Sequence, residues 1–308
     1  MPTARLGELA AFGTAVFWTG SALSFAAAGR RIGSVPTNLI RLVFALAFLM
    51  IGNAITRGRA LPLDATGYTW GMLALSGFIG LVAGDLCLFR AFVLLGPRLT
   101  LLINASAPFF TAVLSWLVLG EVLSLRQMLG MVLTAGGIAV ALAEHRGAPS
   151  AEGADSGADG SRAGRWSTRG VLLALGGAVG QAGGLVFSKL GMRGYPALAS
   201  SEIRVITALV CFAVGFTVAG VWPRVRLALR HAGGLGFTAL GAFCGPTAGV
   251  TLSLVAVAHA PAGVAASLMA LSPLLVLPIV RLRGEVVGWG GVAGAVLAVG
   301  GVVLLVSG

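Results

Sequence analysis

Residues 34–55 read SVPTNLIRLVFALAFLMIGNAI, an apolar run in which Arg41 is the one charged residue. A helix of about 20 apolar residues is long enough to cross the hydrocarbon core of a bilayer. Similar blocks recur along the whole chain, and we predict helices at 7–28, 34–55, 69–90, 98–119, 125–143, 168–188, 197–220, 233–257, 261–281 and 286–306. The sequence therefore predicts an all-α integral membrane protein with ten transmembrane helices, each apolar enough to face lipid.

The composition of the chain agrees with a membrane protein and not with a soluble one. Charged residues make up 10% of the sequence and the mean hydropathy is +0.96, whereas soluble domains carry roughly 25% charged residues. The net charge is +11, but the basic residues lie singly or in pairs at the ends of apolar blocks, where membrane proteins place their anchors. We therefore expect a lipid bilayer as partner and no nucleic acid. The first block is longer than a signal-peptide core, so we interpret it as a retained helix.

The chain contains two copies of one pattern, joined by a polar linker at residues 144–167. Residues 1–143 form the first copy and residues 168–308 the second, with equivalent positions 163 to 165 residues apart. The aligned pairs are Ile40-Arg41 with Ile203-Arg204, Ser76, Gly80 and Gly84 with Gly241, Gly245 and Gly249, and Gly120-Glu121-Val122 with Gly284-Glu285-Val286. Five helices per copy is an odd number, so the second copy enters the membrane from the opposite side. We predict an inverted-topology repeat, which is typical of secondary transporters, with both termini on the side opposite the linker.

These repeated residues resemble a known family. The stretch from Gly84-Asp85 to Ala91, with Leu95-Gly96-Pro97, Pro108, Gly120-Glu121, Gly130 and Gly136-Gly137, resembles the EamA-type repeat of the drug/metabolite transporter superfamily. The resemblance implies that helices 1–4 and 6–9 surround a central cavity and that helices 5 and 10 lie at the periphery. It also implies export of amino acids, other metabolites or drugs. Val250 stands at the position equivalent to Asp85, so any role of this carboxylate is confined to the first half.

Polar residues near the middle of apolar helices mark a candidate substrate site. Trp18 and Gln181 occupy equivalent positions in the two copies, and a polar amide inside a membrane needs a partner or water. The predicted substrate-binding residues are Trp18, Asn104, Gln181, Thr247, Thr251 and Ser267. The alternative is that Trp18 faces lipid and that the amides join helices. Because no paired mid-membrane Lys or Arg is evident and helix 1 has no central carboxylate, we expect a neutral or zwitterionic solute such as an amino acid.

One acidic residue of the first half lies well inside a helix. Asp85 lies roughly two-thirds along helix 3, and Arg41 lies near the start of the antiparallel helix 2, so the two side chains lie at similar depth and can pair. The pair is interpreted either as a coupling site for protons or as a structural ion pair. The alternative for Arg41 and Arg204 is that both side chains extend to the lipid headgroups. Pro108, Pro246 and Pro273 are predicted to kink helices 4, 8 and 9.

Motifs of enzymes and pumps do not occur in the sequence. There is no Walker A motif, no dinucleotide fingerprint and no HExxH motif, and the three histidines and three cysteines lack metal-site spacing. We therefore expect no enzyme activity, no cofactor and no metal, and instead a small-molecule substrate, the proton as candidate coupling ion, and a monomer or homodimer. The alternatives are a flippase for a lipid-linked carrier and a non-transporting scaffold.

We expect the protein in the plasma (inner) membrane, and its orientation there stays open. The family resemblance implies cytoplasmic termini. The basic residues, however, are concentrated on the linker side, and the positive-inside rule places that side in the cytoplasm.

Overall fold

The structure is a computed structural model that describes residues 2–144, 167–272, 274–275 and 289–306, and this part of the chain is helical. The helices are α1 Pro2–Ile32, α2 Ser34–Arg57, α3 Gly67–Gly77, α4 Asp85–Asn104, α5 Ala107–Leu119, α6 Leu125–Glu144, α7 Thr168–Met192, α8 Ala197–Val218, α9 Trp222–Ala228, α10 Ala232–Ala242, α11 Val250–His259, α12 Ala262–Met269 and α13 Trp289–Val306. Two π-helical segments, π1 Phe78–Gly84 and π2 Phe243–Gly249, interrupt the third and eighth predicted helices. Within the described residues, six helical spans are long and apolar enough to cross a membrane, with shorter apolar helices beside them.

The segment α4 is not one straight helix, because the chain turns back on itself within it. Near its start, Leu88 lies against Gly177 of α7, and further along, Leu95 lies against Gly170. At its end, however, Asn104 reaches back to Gln181 of α7. A straight helix moves about 1.5 Å per residue along its axis, so the chain must turn back between Leu95 and Asn104. This reversal is where the sequence predicts the connection between helices 3 and 4.

The two π-helical segments occupy equivalent positions in the two repeats. Each begins at a phenylalanine, ends at a glycine, and contains the aligned glycines Gly80 in π1 and Gly245 in π2. A π-helical turn takes an additional residue and often lies at a functional site. The sequence alignment of the repeats is thus matched by an irregularity of the backbone that the sequence did not predict.

Proline explains where the fourth predicted helix breaks. Helix α4 ends at Asn104, and α5 resumes at Ala107 with Pro108 in its first turn. Pro108 has no N–H to donate to the carbonyl of Asn104 four residues earlier. The predicted kink is therefore a complete break of the helix. Helix α12 ends at Met269, four residues before Pro273; Pro273 and Gly284-Glu285-Val286 lie outside the described residues.

The two repeats exchange their first two helices. Helices α1 and α2 pack on α10, π2, α11 and α12, and in the same way α7 and α8 pack on α3, π1, α4 and α5. We call the group α1, α2, α10, π2, α11 and α12 the first bundle, and the group α3, π1, α4, α5, α7 and α8 the second bundle. The bundles meet where α2 contacts α8 and where α5 contacts α12.

Glycine permits the closest helix contacts inside the bundles. A Cβ atom on Gly180 of α7 would lie 2.6 Å from Cα of Gly84, and one on Gly184 would lie 2.9 Å from Cα of Gly80. Such distances leave no room for a side chain, and small residues of this kind let membrane helices approach closely. This contact joins the third helix of one repeat to the first helix of the other.

Helices α6 and α13 lie to one side of both bundles. They pack mainly on each other, with Gly130 and Gly137 of α6 against Gly301 and Ala298 of α13. The start of α6 is fixed by Ser124 and Gln127, which each accept a hydrogen bond from the backbone N–H of the other, the capping-box arrangement. This pair corresponds to helices 5 and 10, which the family resemblance places at the periphery.

Candidate functional site

A cavity of about 240 Å³ lies between the two bundles. It is close to the middle of the membrane, because Trp18 and Gln181 lie near the midpoints of α1 and α7. The first bundle contributes few lining residues and the second bundle most of them. The lining residues are Trp18, Gly80, Leu81, Gly84, Asp85, Leu88, Asn104, Gly177, Gln181, Leu185, Arg204, Val250 and Ser253.

Three of the predicted substrate-binding residues share this cavity. Trp18, Asn104 and Gln181 all line it, and the Asn104 Nδ2 atom donates a hydrogen bond to Gln181 Oε1 at 3.4 Å. Among the described residues, Asn104 Oδ1 has no hydrogen-bond partner although it is buried. The indole of Trp18 fits because Gly249 has no side chain: a Cβ there would lie 2.6 Å from Trp18 Cδ1. The cavity thus presents an aromatic surface and amide groups to a solute.

The other three predicted residues do not line this cavity. The Thr251 hydroxyl donates to Ser201 Oγ at 3.1 Å, and the Ser267 hydroxyl donates to the carbonyl of Gly263 at 2.9 Å. Thr247 is buried within π2, and its hydroxyl has no partner in the part of the chain that the structure describes. A contact of these side chains with substrate therefore requires a different arrangement of the bundles.

Asp85 and Arg41 form an ion pair across the two bundles. Arg41 Nη2 donates to Asp85 Oδ2 at 2.9 Å, and the side chains are 16% and 26% exposed. The Arg41 guanidinium also lies over the Phe25 ring, 5.5 Å from its centre. Asp85 lines the cavity, so the pair forms one charged end of it.

Arg204 adds a charged residue to the cavity that was not among the predicted site residues. Its side chain does not extend to the headgroups: the residue is 4% exposed and lines the cavity. The guanidinium lies beside Gly80 and Gly184, whose missing side chains leave the space for it, and its Nε atom has no partner within the described residues. The signal in the sequence was its equivalence to Arg41 together with the glycines on neighbouring helices. A buried donor without a partner is costly, so Arg204 is suited to bind an anionic group in the cavity.

Polar contacts join the bundles on the side of the membrane that holds both chain termini, which we call the termini side. Lys189 at the end of α7 pairs with Glu121 Oε1 at 2.5 Å and donates to the carbonyl of Ala260 at 2.7 Å. Glu121 Oε2 in turn accepts from the N–H of Ala262 at the start of α12, at 2.8 Å. Lys189 and Glu121 therefore fasten the α11–α12 loop of the first bundle to the second bundle.

A second termini-side cluster, which we call the loop cluster, lies at the end of α2 and in two loops. It consists of Arg57, Asp64 and Tyr195. Arg57 pairs with Asp64, and it donates to the Tyr195 hydroxyl at 3.3 Å. The Tyr195 hydroxyl donates to Asp64 Oδ1 at 2.9 Å. This hydrogen bond is the main reason why the pKa of Asp64 lies below its usual value, with the Arg57 charge adding to it. Asp64 therefore contributes to stability above about pH 4 and loses this contribution as the pH falls further.

Comparisons with known proteins agree with this architecture. A family model described as the EamA-like transporter family matches residues 5–143 and again residues 168–307, so each match covers one repeat. A solved crystal structure of a protein is similar over 97% of this chain and 95% of that chain, with a TM-score of 0.72 at 20% sequence identity. At this identity the likeness shows the fold alone. No curated protein gives a significant match.

Proposed function

Because the chain belongs to the EamA-like transporter family, we propose that it exports a small zwitterionic or neutral organic solute, such as an amino acid, by alternating access. The observation that carries the proposal is the cavity between the two bundles, lined by an aromatic ring, two amides and charged groups. Binding between inverted repeats near the bilayer midplane is the usual arrangement of secondary transporters.

The size and charge of the cavity favour a small zwitterion. Its volume of about 240 Å³ is below the roughly 300–1,000 Å³ of pockets that hold drug-sized ligands. Arg204 offers a buried donor to a carboxylate, and Asp85 offers a carboxylate to an ammonium group. These two side chains both line the cavity, so both ends of an amino acid find a charged partner.

The contacts between the bundles support a two-state movement. On the termini side, Lys189 and Glu121 fasten the α11–α12 loop, so solute cannot leave there until these bonds break. The Arg41–Asp85 pair also crosses between the bundles, at the end of the cavity nearer the linker. When the bundles open on the termini side, the Arg41–Asp85 pair stays formed and holds the linker side closed. When the bundles open on the linker side, the pair breaks.

Transport by the purified protein in liposomes tests the proposal. We expect counterflow of radiolabelled amino acids, and we expect Trp18→Ala to reduce it at least about 10-fold, since a buried aromatic residue contributes roughly 1.5–3 kcal/mol of apolar burial. Trp116→Ala is the matched control, because Trp116 is 59% exposed on α5 and we expect it to transport normally.

Two results would contradict the proposal. Absence of counterflow for every amino acid and related metabolite, in protein that is folded and monodisperse, excludes the solute class. Movement of a fluorescent lipid-linked sugar carrier between leaflets, without solute counterflow, supports the flippase alternative instead.

A further inference from the structure

One buried carboxyl group outside the cavity contacts no cation directly among the residues that the structure describes. Glu202 of α8 and Asn53 of α2 are both 0% exposed, and Asn53 Nδ2 donates to Glu202 Oε2 at 2.6 Å. The contact links the two bundles on the termini side, because Asn53 lies one turn before Arg57 at the end of α2. Neither residue belongs to the predicted substrate site.

Two atoms of this pair have no hydrogen-bond partner among the described residues. They are Asn53 Oδ1 and Glu202 Oε1. Both are acceptors if the carboxyl is ionised, so neither can satisfy the other. If the carboxyl carries a proton, Glu202 Oε1–H can donate to Asn53 Oδ1, and the two side chains form a cyclic pair with two hydrogen bonds. A single proton on the carboxyl group thus satisfies both atoms together.

The surroundings of Glu202 also favour the neutral acid. An ionised carboxylate buried without a cation costs several kcal/mol, and the direct partner of Glu202 is a neutral amide, whereas that of Asp85 is Arg41. Of the charged side chains on the elements that pack on α8, Arg57 of α2 is the one whose charge acts on Glu202. Arg57 is itself paired with Asp64 and bonded to Tyr195, so much of its charge is already compensated.

We propose that Glu202 and Asn53 form a proton-binding site that fastens the termini side of the transporter while Glu202 is protonated. The proton sits on Oε1 and completes the bond to Asn53 Oδ1. When the bundles separate on this side, Glu202 meets water, where a glutamic acid is ionised at neutral pH, and the proton passes to the solvent. Release of the proton leaves a carboxylate that resists reburial against Asn53, so opening is coupled to the loss of one proton. The coupling of proton release to opening rests on the proposed alternating access, but the binding of the proton by Glu202 does not.

Infrared spectroscopy of the detergent-solubilised protein tests the proton directly. At neutral pH we expect the carbonyl band of a protonated carboxylic acid, and we expect Glu202→Gln to lose it. Asp85→Asn should keep the band, since Asp85 is paired with Arg41. Absence of the band in the unmodified protein overturns the proposal, whether or not any variant folds. Persistence of the band in folded Glu202→Gln also overturns it.

Distance measurements between spin labels test the coupling to closure. Val122→Cys and His259→Cys place labels on exposed termini-side positions of the two bundles, in a chain whose Cys87, Cys211 and Cys244 are replaced by serine. We expect raising the pH from 6 to 9 to lengthen the distance in this protein. Glu202→Gln should stay short at every pH, because a glutamine amide can form both hydrogen bonds of the cyclic pair without titrating.

The loop cluster provides the matched control. Asp64→Asn leaves Glu202 in place, so a pH response of the distance should remain, displaced to lower pH because Arg57 loses its counter-charge. An unchanged response in Glu202→Gln, or its loss in Asp64→Asn alone, contradicts the coupling. Counterflow that persists while the infrared band is absent would leave the transport proposal intact and dispose of the proton site only.

Discussion

Arg204 and Arg41 lie in membrane-spanning helices, and their neighbours explain their positions. Arg204 fits because Gly80 and Gly184 leave space for its guanidinium, and Arg41 has Asp85 as its partner. A charge inside the bilayer is expensive unless it faces a partner or a cavity. The free-energy cost of burying these charges therefore depends on whether solute is bound and on the position of the bundles.

Replacing Arg204 tests its contact with the carboxylate of the solute. We expect Arg204→Gln to raise the dissociation constant for a zwitterionic substrate about 10- to 100-fold, since a hydrogen bond to a charged group contributes roughly 1.5–3 kcal/mol. Isothermal titration of the purified protein measures it. Arg226→Gln is the control, because Arg226 is exposed on α9. Equal affinity in both variants would show that Arg204 does not contact the solute.

Replacing Asp85 separates its two interpretations. If the pair with Arg41 is structural, Asp85→Asn should reduce the yield and thermal stability of the protein, because it leaves Arg41 without a counter-charge. The double variant Arg41→Gln with Asp85→Asn should then recover part of the stability. If Asp85 couples transport to protons, the single variant should fold normally but lose the dependence of transport on a pH gradient. We expect the structural outcome, since the ion pair is formed in the structure.

Residue positions in the cavity could be predicted from the sequence where both repeats carry a notable residue at equivalent positions. Trp18 and Gln181 are equivalent under one offset, and both line the cavity. Thr247 and Thr251 were assigned by depth alone, but Thr247 lies within π2 and Thr251 follows it. One additional residue in a helical turn rotates the following side chains by about 100°, so their faces could not be predicted. The Asn53–Glu202 contact joins residues from two repeats and has no pattern in the sequence.

At the scale of helices, the α6–α13 contact gives a matched pair of adjacent glycines. A Cβ on Gly137 would collide with backbone atoms of Ala298 and Gly294, whereas a Cβ on Gly136 has open space. We expect Gly137→Ala to destabilise the protein by roughly 1–3 kcal/mol, the usual cost of overpacking. Gly136→Ala should be neutral or slightly stabilising, because alanine is the better helix former. Thermal unfolding followed by size-exclusion chromatography compares them, and equal melting temperatures would contradict the contact.

The presence of the helices was predictable, because a long apolar run is a strong signal. The interruptions of the helices were not predictable from hydropathy. The sequence predicts the break at Pro108 as a kink, since proline removes one hydrogen bond; the structure ends α4 at Asn104 and restarts at Ala107. Glycines of the π-helical segments pack against another helix, as Gly84 does against Gly180. Such contacts join segments far apart in sequence, so hydropathy does not report them.

At the scale of the whole molecule, the inverted repeat followed from the sequence, because an odd number of helices per copy fixes the relative orientation. The family match to residues 5–143 and 168–307 confirms the two copies. The exchange of the first two helices between bundles was not predictable, since it depends on which distant helices pack together. This exchange places Trp18 of the first repeat opposite Gln181 of the second, across the cavity.

A disulfide between the bundles tests alternating access most directly. A Cβ on Gly263 of α12 would lie 3.1 Å from Cβ of Ala112 of α5, near the roughly 3.5–4.5 Å of disulfides. Ala112→Cys with Gly263→Cys, in a chain otherwise without cysteine, should bind substrate when oxidised but show no counterflow, and reduction should restore flux. The control Gly20→Cys pairs with native Cys244 inside the first bundle, at a Cβ–Cβ distance of 4.0 Å, and should transport in both states. Full counterflow by the oxidised Ala112–Gly263 variant would contradict alternating access between the bundles.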